Sequence, residues 1–108
     1  MSFRVVFSPQ AEEQLAALYN YIAAASAPDI AAHYTEAIVS YCESLETFPQ
    51  RGALRDDVRP GLRITHFKKR GIIAFTVEAE QVTIIGVFYG GQNHETILQG
   101  SPAAGSNS

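Results

Sequence analysis

The spacing of apolar residues changes abruptly near the middle of this 108-residue chain. In the first half they recur every three or four residues, as Leu15, Leu18 and Ile22 do, which is the period of one helix face. In the second half, apolar and β-branched residues fill three short segments bounded by turn residues, which is typical of buried strands. The first half is therefore predicted to be mainly helical, and the second half to form a sheet.

Two helices are predicted in the first half. Ser8 is placed to cap the first helix, which is expected from residue 10 to about residue 24. Residues 26–29 are expected to start a second helix by similar capping, and that helix is predicted over residues 28 to about 48, where Pro49 ends it. Because the connection is short, the two helices are predicted to form an antiparallel hairpin.

Four strands are predicted, at residues 3–7, 62–67, 72–77 and 82–88. The last three are separated by KKRG and EAEQ, both of hairpin-loop length, so they are expected to form an antiparallel meander. The predicted fold class is therefore α+β, with an N-terminal strand, a two-helix antiparallel hairpin and a three-stranded meander in one sheet. Since the hairpin covers only one face, the apolar second face is expected to be covered or to contact a partner.

The chain is long enough for one domain, which we expect over residues 1–99. The segment from residue 100 to residue 108 is small, polar and without periodicity, and it is predicted to be disordered. The chain shows no apolar stretch long enough to cross a bilayer and no signal-peptide pattern at its start. We therefore expect a cytoplasmic protein with no membrane partner.

Charge is distributed very unevenly along the chain. Residues 1–50 carry one cation and six carboxylates, a net charge of -5, whereas residues 51–70 carry seven cations and two carboxylates, a net charge of +5. Such clustering predicts contact with an anionic partner. The overall net charge of -3 argues against a general nucleic-acid-binding domain, which would be basic.

Several kinds of chemistry lack their residue patterns. The single cysteine, Cys42, lies in the second helical pattern and is expected in the core, and the three histidines do not have metal-ligand spacing. The chain also lacks a P-loop, a dinucleotide-binding glycine pattern and a nucleophilic serine elbow. We therefore expect neither a metal nor a cofactor.

The order of the predicted elements, together with four segments, resembles the RelE/ParE superfamily of toxins from bacterial toxin–antitoxin operons, and within it the ParE branch. The segments are SPQAEEQLAALYNYI, LETFPQRG, DDVRPGLRITHFKKRGIIAFTV and VTIIGVFYGGQNHETIL. The resemblance implies a type II toxin that a co-transcribed, ParD-like antitoxin holds inactive. The ParE branch is associated with inhibition of DNA gyrase and so of replication, and the RelE branch with cleavage of messenger RNA in the ribosome.

The RelE alternative requires catalytic residues, because RNA cleavage through the 2′-hydroxyl needs a base, an acid and cations. The candidates for that alternative are Arg63, His66, Lys68 and His94. Nuclease relatives carry an arginine in the turn after the last strand, where this chain has Gly90 and Gly91. We therefore expect no catalytic residues and a toxin that acts by binding. An mRNA interferase and an inert antitoxin-binding module remain the alternatives.

The resemblance also implies where partners bind. In ParE-like toxins an antitoxin chain with acidic residues lies across the hairpin and the sheet, so the basic segment is expected to pair with it. The predicted antitoxin- or target-binding residues are Arg59, Arg63, Lys68, Lys69, Arg70, Tyr89 and Gln92. We expect no direct sequence-specific DNA binding by this chain alone.

Overall fold

A computed structural model describes residues 3–90 of the chain. The elements in chain order are strand β1 (Arg4–Phe7), helices α1 (Pro9–Ala25) and α2 (Pro28–Glu43), a short 3₁₀ turn (Ser44–Glu46), and strands β2 (Ala53–Leu54), β3 (Leu62–Phe67), β4 (Gly71–Glu78) and β5 (Gln81–Tyr89). The predicted order of a strand, a helical hairpin and a meander is thus confirmed. The tail predicted to be disordered lies outside the described residues.

The strands form a single sheet in the order β1-β5-β4-β3-β2. Strand β1 runs parallel to β5, whereas all other neighbours are antiparallel. The sheet has one strand more than the four that were predicted. The added strand, β2, has only two residues, which is too short for a period of two to be visible in the sequence.

The start of α1 agrees with the prediction, because the Ser8 hydroxyl accepts a hydrogen bond of 3.1 Å from the Ala11 N–H. The capping prediction for α2 was wrong. Ala27 precedes α2 without a side-chain cap, and Ser26 instead ends α1, since its N–H donates to the Ile22 carbonyl. Pro28 in the first turn of α2 removes one of the backbone N–H groups that a cap would otherwise satisfy.

The end of α2 also differs from the prediction, since the helix stops at Glu43 rather than near Phe48. The chain continues as the 3₁₀ turn, in which Leu45 is completely buried. Because a 3₁₀ turn repeats every three residues, it keeps an apolar residue facing the sheet just as the α-helix does. Apolar spacing therefore cannot show where one kind of helix replaces the other.

Both faces of the central strands are buried. On one face the hairpin packs on the sheet, with fully buried side chains that include Ile38, Ile73, Phe75, Val82 and Ile84. On the other face a second buried cluster consists of Leu62, Ile64, Ala74 and Phe88. Because successive strand residues point to opposite faces, burial on both sides explains why β4 and β5 are apolar at nearly every position.

Cys42 lies in the core beneath the hairpin and is completely buried. Burial raises the pKa of the Cys42 thiol to about 12, with a smaller contribution from the Glu43 carboxylate. The thiol is therefore protonated at neutral pH, which makes it a poor nucleophile and a poor metal ligand. Its position in the core is the one expected from the sequence.

Two tyrosines on α2 differ in how their hydroxyls are satisfied. The Tyr41 hydroxyl lies 3.0 Å from the Thr65 hydroxyl oxygen, whereas the Tyr34 hydroxyl is buried without a hydrogen-bond partner among residues 3–90. An unsatisfied buried polar group costs about 1–3 kcal/mol, whereas a made hydrogen bond contributes about 1 kcal/mol.

Tyr34→Phe is therefore expected to raise the free energy of unfolding by about 1 kcal/mol, because it removes the unsatisfied hydroxyl. Tyr41→Phe, the matched control on the same helix, is expected to lower it by about 1 kcal/mol. Urea denaturation of the two variants beside the unmodified chain measures both values. A loss of stability in both variants would show that the Tyr34 hydroxyl is satisfied in solution.

Candidate functional site

The turn between β3 and β4 carries three consecutive cations, Lys68, Lys69 and Arg70, and we call these three residues the basic turn. All three side chains are exposed. Within residues 3–90, Arg55 and Asp57 form an ion pair at 2.9 Å, and no carboxylate pairs with the basic turn. The positive charge of this turn therefore faces outward without compensation from the described chain.

Two aromatic rings lie beneath the basic turn. The Arg70 guanidinium lies 5.7 Å from the centroid of the Tyr89 ring, and the Lys68 ammonium lies 5.6 Å from that of Phe67. The Gly90 N–H donates a hydrogen bond of 3.0 Å to the Arg70 carbonyl, which extends the pairing of the two strands. The structure thus brings Lys68, Lys69, Arg70 and Tyr89 together, as cation–π contacts favour.

Tyr89 also connects the basic turn to both helices. Its ring centroid lies 6.1 Å from that of Tyr21 on α1 and 5.5 Å from that of Tyr34 on α2. Burial raises the pKa of Tyr34, Tyr89 raises it further, and the nearby Arg70 cation lowers it. The Tyr34 phenol is therefore neutral at physiological pH, and this cluster holds the end of β5 against the hairpin.

A groove of about 440 Å³ opens beside the basic turn, between α1 and the end of β5, and we call it the α1–β5 groove. The side chains and backbone that line it belong to Gln14, Ala17, Leu18, Tyr21, Arg70, Val87, Tyr89 and Gly90. Most of this lining is apolar, and Arg70 is its one ionised residue among those described. The groove and the basic turn therefore share Arg70 and form one continuous surface.

The groove exists because β1 ends before β5 does. Strand β1 pairs with β5 only as far as Ile84, so the later part of β5 lacks a strand neighbour on that side among the described residues. The Gln14 side-chain oxygen accepts a hydrogen bond of 2.7 Å from the Val87 N–H. A side chain of α1 thus accepts the hydrogen bond of a backbone N–H of β5 that has no β1 residue beside it.

The α1 residues of this groove are not among the predicted binding residues. Ala17 and Tyr21 are exposed and lie beside the apolar stripe of α1, which is why the helical period did not select them. Tyr21 is 62% exposed. A large aromatic side chain on the polar side of an amphipathic helix is the signal in the sequence that points to this surface.

The other predicted binding residues lie elsewhere. Arg63 is half-buried on the helix-covered face of β3, and its guanidinium donates to the Gln50 carbonyl at 2.9 Å and to the Arg51 carbonyl at 3.0 Å. Arg59 is exposed in the loop before β3, at the end of that strand opposite to the basic turn. Gln92 lies outside the described residues.

The described residues of the nuclease alternative are not gathered at one place. Arg63 and His66 are three positions apart on β3, so their side chains point to opposite faces of the sheet. Lys68 belongs to the basic turn, and His94 lies outside the described residues. Within residues 3–90, no group of three histidine, cysteine, aspartate or glutamate side chains is close enough to hold a metal ion.

The family model for the ParE toxin of the type II toxin–antitoxin system, parDE, matches residues 5–94. The chain belongs to the ParE toxin family. This confirms the resemblance drawn from the sequence, and membership of a toxin–antitoxin family implies an antitoxin partner.

A solved structure described as the chromosomal ParDE TA system from P. aeruginosa has the same fold as this ParE-family chain, with a TM-score of 0.73. The two sequences are 20% identical, and the superposition covers 82% of this chain and 97% of that chain. A search of the curated proteins gave no match.

In the described part of the chain, neither helix has the length and hydrophobicity that a bilayer-spanning segment needs.

Proposed function

We propose that this ParE-family toxin is held inactive by an acidic, ParD-like antitoxin and, once released, inhibits DNA gyrase and so blocks replication. The observation that carries the proposal is the basic turn, with which no carboxylate of residues 3–90 pairs, beside the α1–β5 groove. A cationic turn next to an apolar groove suits a partner segment that carries both carboxylates and apolar side chains.

The arrangement of the described side chains favours a toxin that acts by binding. A metal-free nuclease needs a base, an acid and cations converging on one phosphate. Arg63 instead donates to two loop carbonyls, and His66 lies on the opposite face of β3. The thiol of Cys42 is buried and protonated. These positions support a toxin that acts by binding over one that cleaves messenger RNA.

The proposal is tested by expressing the chain with and without the antitoxin encoded beside it. We expect growth arrest with filamentation and DNA damage when the toxin is expressed alone, and purified toxin should trap gyrase cleavage complexes in a supercoiling and cleavage assay. His66→Ala is the control, since a toxin that acts by binding should keep its activity in this variant.

Two outcomes would contradict the proposal. Codon-positioned cuts in primer extension of cellular transcripts, lost in His66→Ala, would assign the chain to the ribosome-dependent nucleases. Antitoxin binding without growth arrest, and without any effect on gyrase, would make the chain an inert binding module.

A further inference from the structure

We propose that strand β2 pairs with β2 of a second copy of the chain. The two strands are antiparallel and related by a two-fold axis at Leu54, so that the two sheets become continuous. Strand β2 lies beside Arg63 and Ile64 of β3, whereas the basic turn follows the other end of β3. The inference therefore concerns a surface that the proposed function does not use, and it does not rest on that function.

Strand β2 has an open hydrogen-bonding edge. It is the last strand of the sheet, with no strand neighbour on its outer side among residues 3–90. The Arg55 N–H donates to the Leu62 carbonyl at 2.7 Å, toward β3. Because backbone groups of successive strand residues point to alternate sides, the N–H and the carbonyl of Leu54 point away from β3. They are the donor and the acceptor that an added antiparallel strand needs.

Two large apolar side chains are exposed in or just before β2. Leu54 is 53% exposed and Phe48 is 57% exposed. Leu54 lies on the same face of the sheet as Arg63, its register partner in β3. In the proposed dimer the two Leu54 side chains lie directly opposite each other, and their contact removes apolar surface of both copies from water.

The segment around Leu54 is complementary in charge to its own antiparallel copy. It reads RGALRDD over residues 51–57. An antiparallel register centred at Leu54 places Arg51 of one copy toward Asp57 of the other, and the two-fold axis makes this contact twice. Asp57 is exposed and accepts two hydrogen bonds of 2.9 Å from Arg55. Because a carboxylate can accept about four hydrogen bonds, Asp57 can bind Arg51 of the second copy and keep Arg55.

A second copy of the chain fits this edge better than an acidic segment does. The basic turn carries cations only, whereas residues 51–59 carry three cations and two carboxylates. The exposed Asp56 and Asp57 would repel an acidic chain. A copy of the same segment instead brings an arginine to Asp57 and an aspartate to Arg51.

The first test uses two charge variants, with sedimentation velocity of the purified full chain, which we expect to show a monomer–dimer equilibrium. Arg51→Asp places carboxylates against carboxylates, and Asp57→Arg places cations against cations. Each variant alone is expected to raise the dimer dissociation constant about 30-fold. An equal mixture should dimerise again, because both contacts then join opposite charges. Arg4→Asp, on the exposed edge strand β1, is the net-charge control and should change dimerisation less than about threefold.

The second test is a cross-link by disulfide formation with oxidised glutathione. Leu54→Cys places two thiols in directly opposite residues, whose Cα atoms are about 5.5 Å apart in a hydrogen-bonded antiparallel pair, within the range of a disulfide. Ala53→Cys is the matched control, equally exposed on β2 but displaced by two residues, about 7 Å along the strand, in the two copies. Cys42 is completely buried and does not compete. We expect about tenfold more cross-linked dimer for Leu54→Cys.

The outcomes decide between this dimer and the other occupants of the edge. A chain that stays monomeric at every concentration, and cross-links no better through Leu54→Cys than through Ala53→Cys, overturns the inference. So does self-association that neither charge variant weakens, since the contact then lies elsewhere. Circular dichroism checks the fold of each variant, and should the charge variants not fold, the cross-link decides.

The antitoxin is the remaining occupant to be distinguished. Leu54→Pro removes the outward N–H, and proline is tolerated on an edge strand where that N–H faces solvent. This variant is expected to lose dimerisation and to bind the antitoxin as the unmodified chain does. A monomeric chain whose antitoxin affinity falls in Leu54→Pro would assign the edge to the antitoxin, which also overturns the inference.

Discussion

Gly52→Ala is expected to lower the free energy of unfolding by about 3 kcal/mol or more, the largest effect of a single methyl group that we foresee in this chain. A Cβ atom at this position would lie 2.4 Å from the Ile64 carbonyl oxygen and 2.9 Å from the Ile64 carbonyl carbon. These are backbone atoms of β3, so a side-chain rotation cannot relieve the contact. The backbone of Gly52 also has a φ of +76°, a conformation that L-residues adopt at a cost of about 1–2 kcal/mol.

Gly61→Ala is the matched control for this prediction. Gly61 has nearly the same φ, +77°, but a Cβ atom there would meet nothing within 4 Å. Gly61→Ala should therefore lower the free energy of unfolding only by the cost of the left-handed backbone conformation, about 1 kcal/mol. Thermal unfolding is expected to show a decrease in Tm of about 12 °C or more for Gly52→Ala and about 4–8 °C for Gly61→Ala. Equal decreases would show that the close approach to β3 is relieved by a small backbone shift.

The same loop explains why Arg63 is not at the basic turn. Gly52 lets the chain after α2 lie against β3, and the Arg63 guanidinium binds the carbonyls of Gln50 and Arg51 from the sheet side. The Arg51 guanidinium in turn lies 5.3 Å from the ring centroids of both Tyr41 and Phe48. Arg63 therefore holds the loop to the sheet, and a charge reversal there is expected to affect folding as well as any partner.

The helices and strands were largely predictable from the sequence, whereas the candidate binding surface was predictable only in part. Helical and strand periods depend on residues that are neighbours in the chain, and so α1, α2 and the three-stranded meander were predictable. The α1–β5 groove joins Gln14 to Val87, which are 73 positions apart. Its existence depends on β1 ending at Phe7 while β5 continues, and no local pattern records how far two distant strands pair.

The positions of the cations were also predictable only in part from the sequence. Clustering in the sequence placed Arg63 and the basic turn in one predicted surface, because all four residues lie within eight positions. Strand alternation, however, turns Arg63 toward the hairpin, where the carbonyls 12 and 13 positions earlier in the chain accept its hydrogen bonds. The spacing along the strand shows that Arg63 and His66 point to opposite faces of the sheet. It does not show which backbone carbonyls accept hydrogen bonds from Arg63.

Reversal of all three charges of the basic turn, by Lys68→Glu, Lys69→Glu and Arg70→Glu together, is expected to weaken antitoxin binding by about 100-fold. Exposed ion pairs contribute up to about 1 kcal/mol each, so three of them amount to about 3 kcal/mol, and every 1.4 kcal/mol is a factor of about ten. The turn is exposed and forms no ion pair within residues 3–90, so the free energy of unfolding should fall only by the two cation–π contacts that are lost, about 1–2 kcal/mol in total.

The salt dependence of antitoxin binding distinguishes a loss of electrostatic attraction from a loss of shape complementarity at the interface. Since exposed charges are screened over about 10 Å at 0.1 M salt, the difference between the triple variant and the unmodified toxin should shrink as salt is raised. Arg4→Glu is the control for net charge, because Arg4 is an exposed cation on the edge strand β1 and is not among the predicted binding residues. Lys69→Glu should therefore weaken binding more than Arg4→Glu does, although each changes the net charge equally. Equal affinities for these two single variants would mean that the antitoxin responds to the overall charge of the toxin and that the basic turn is not its contact.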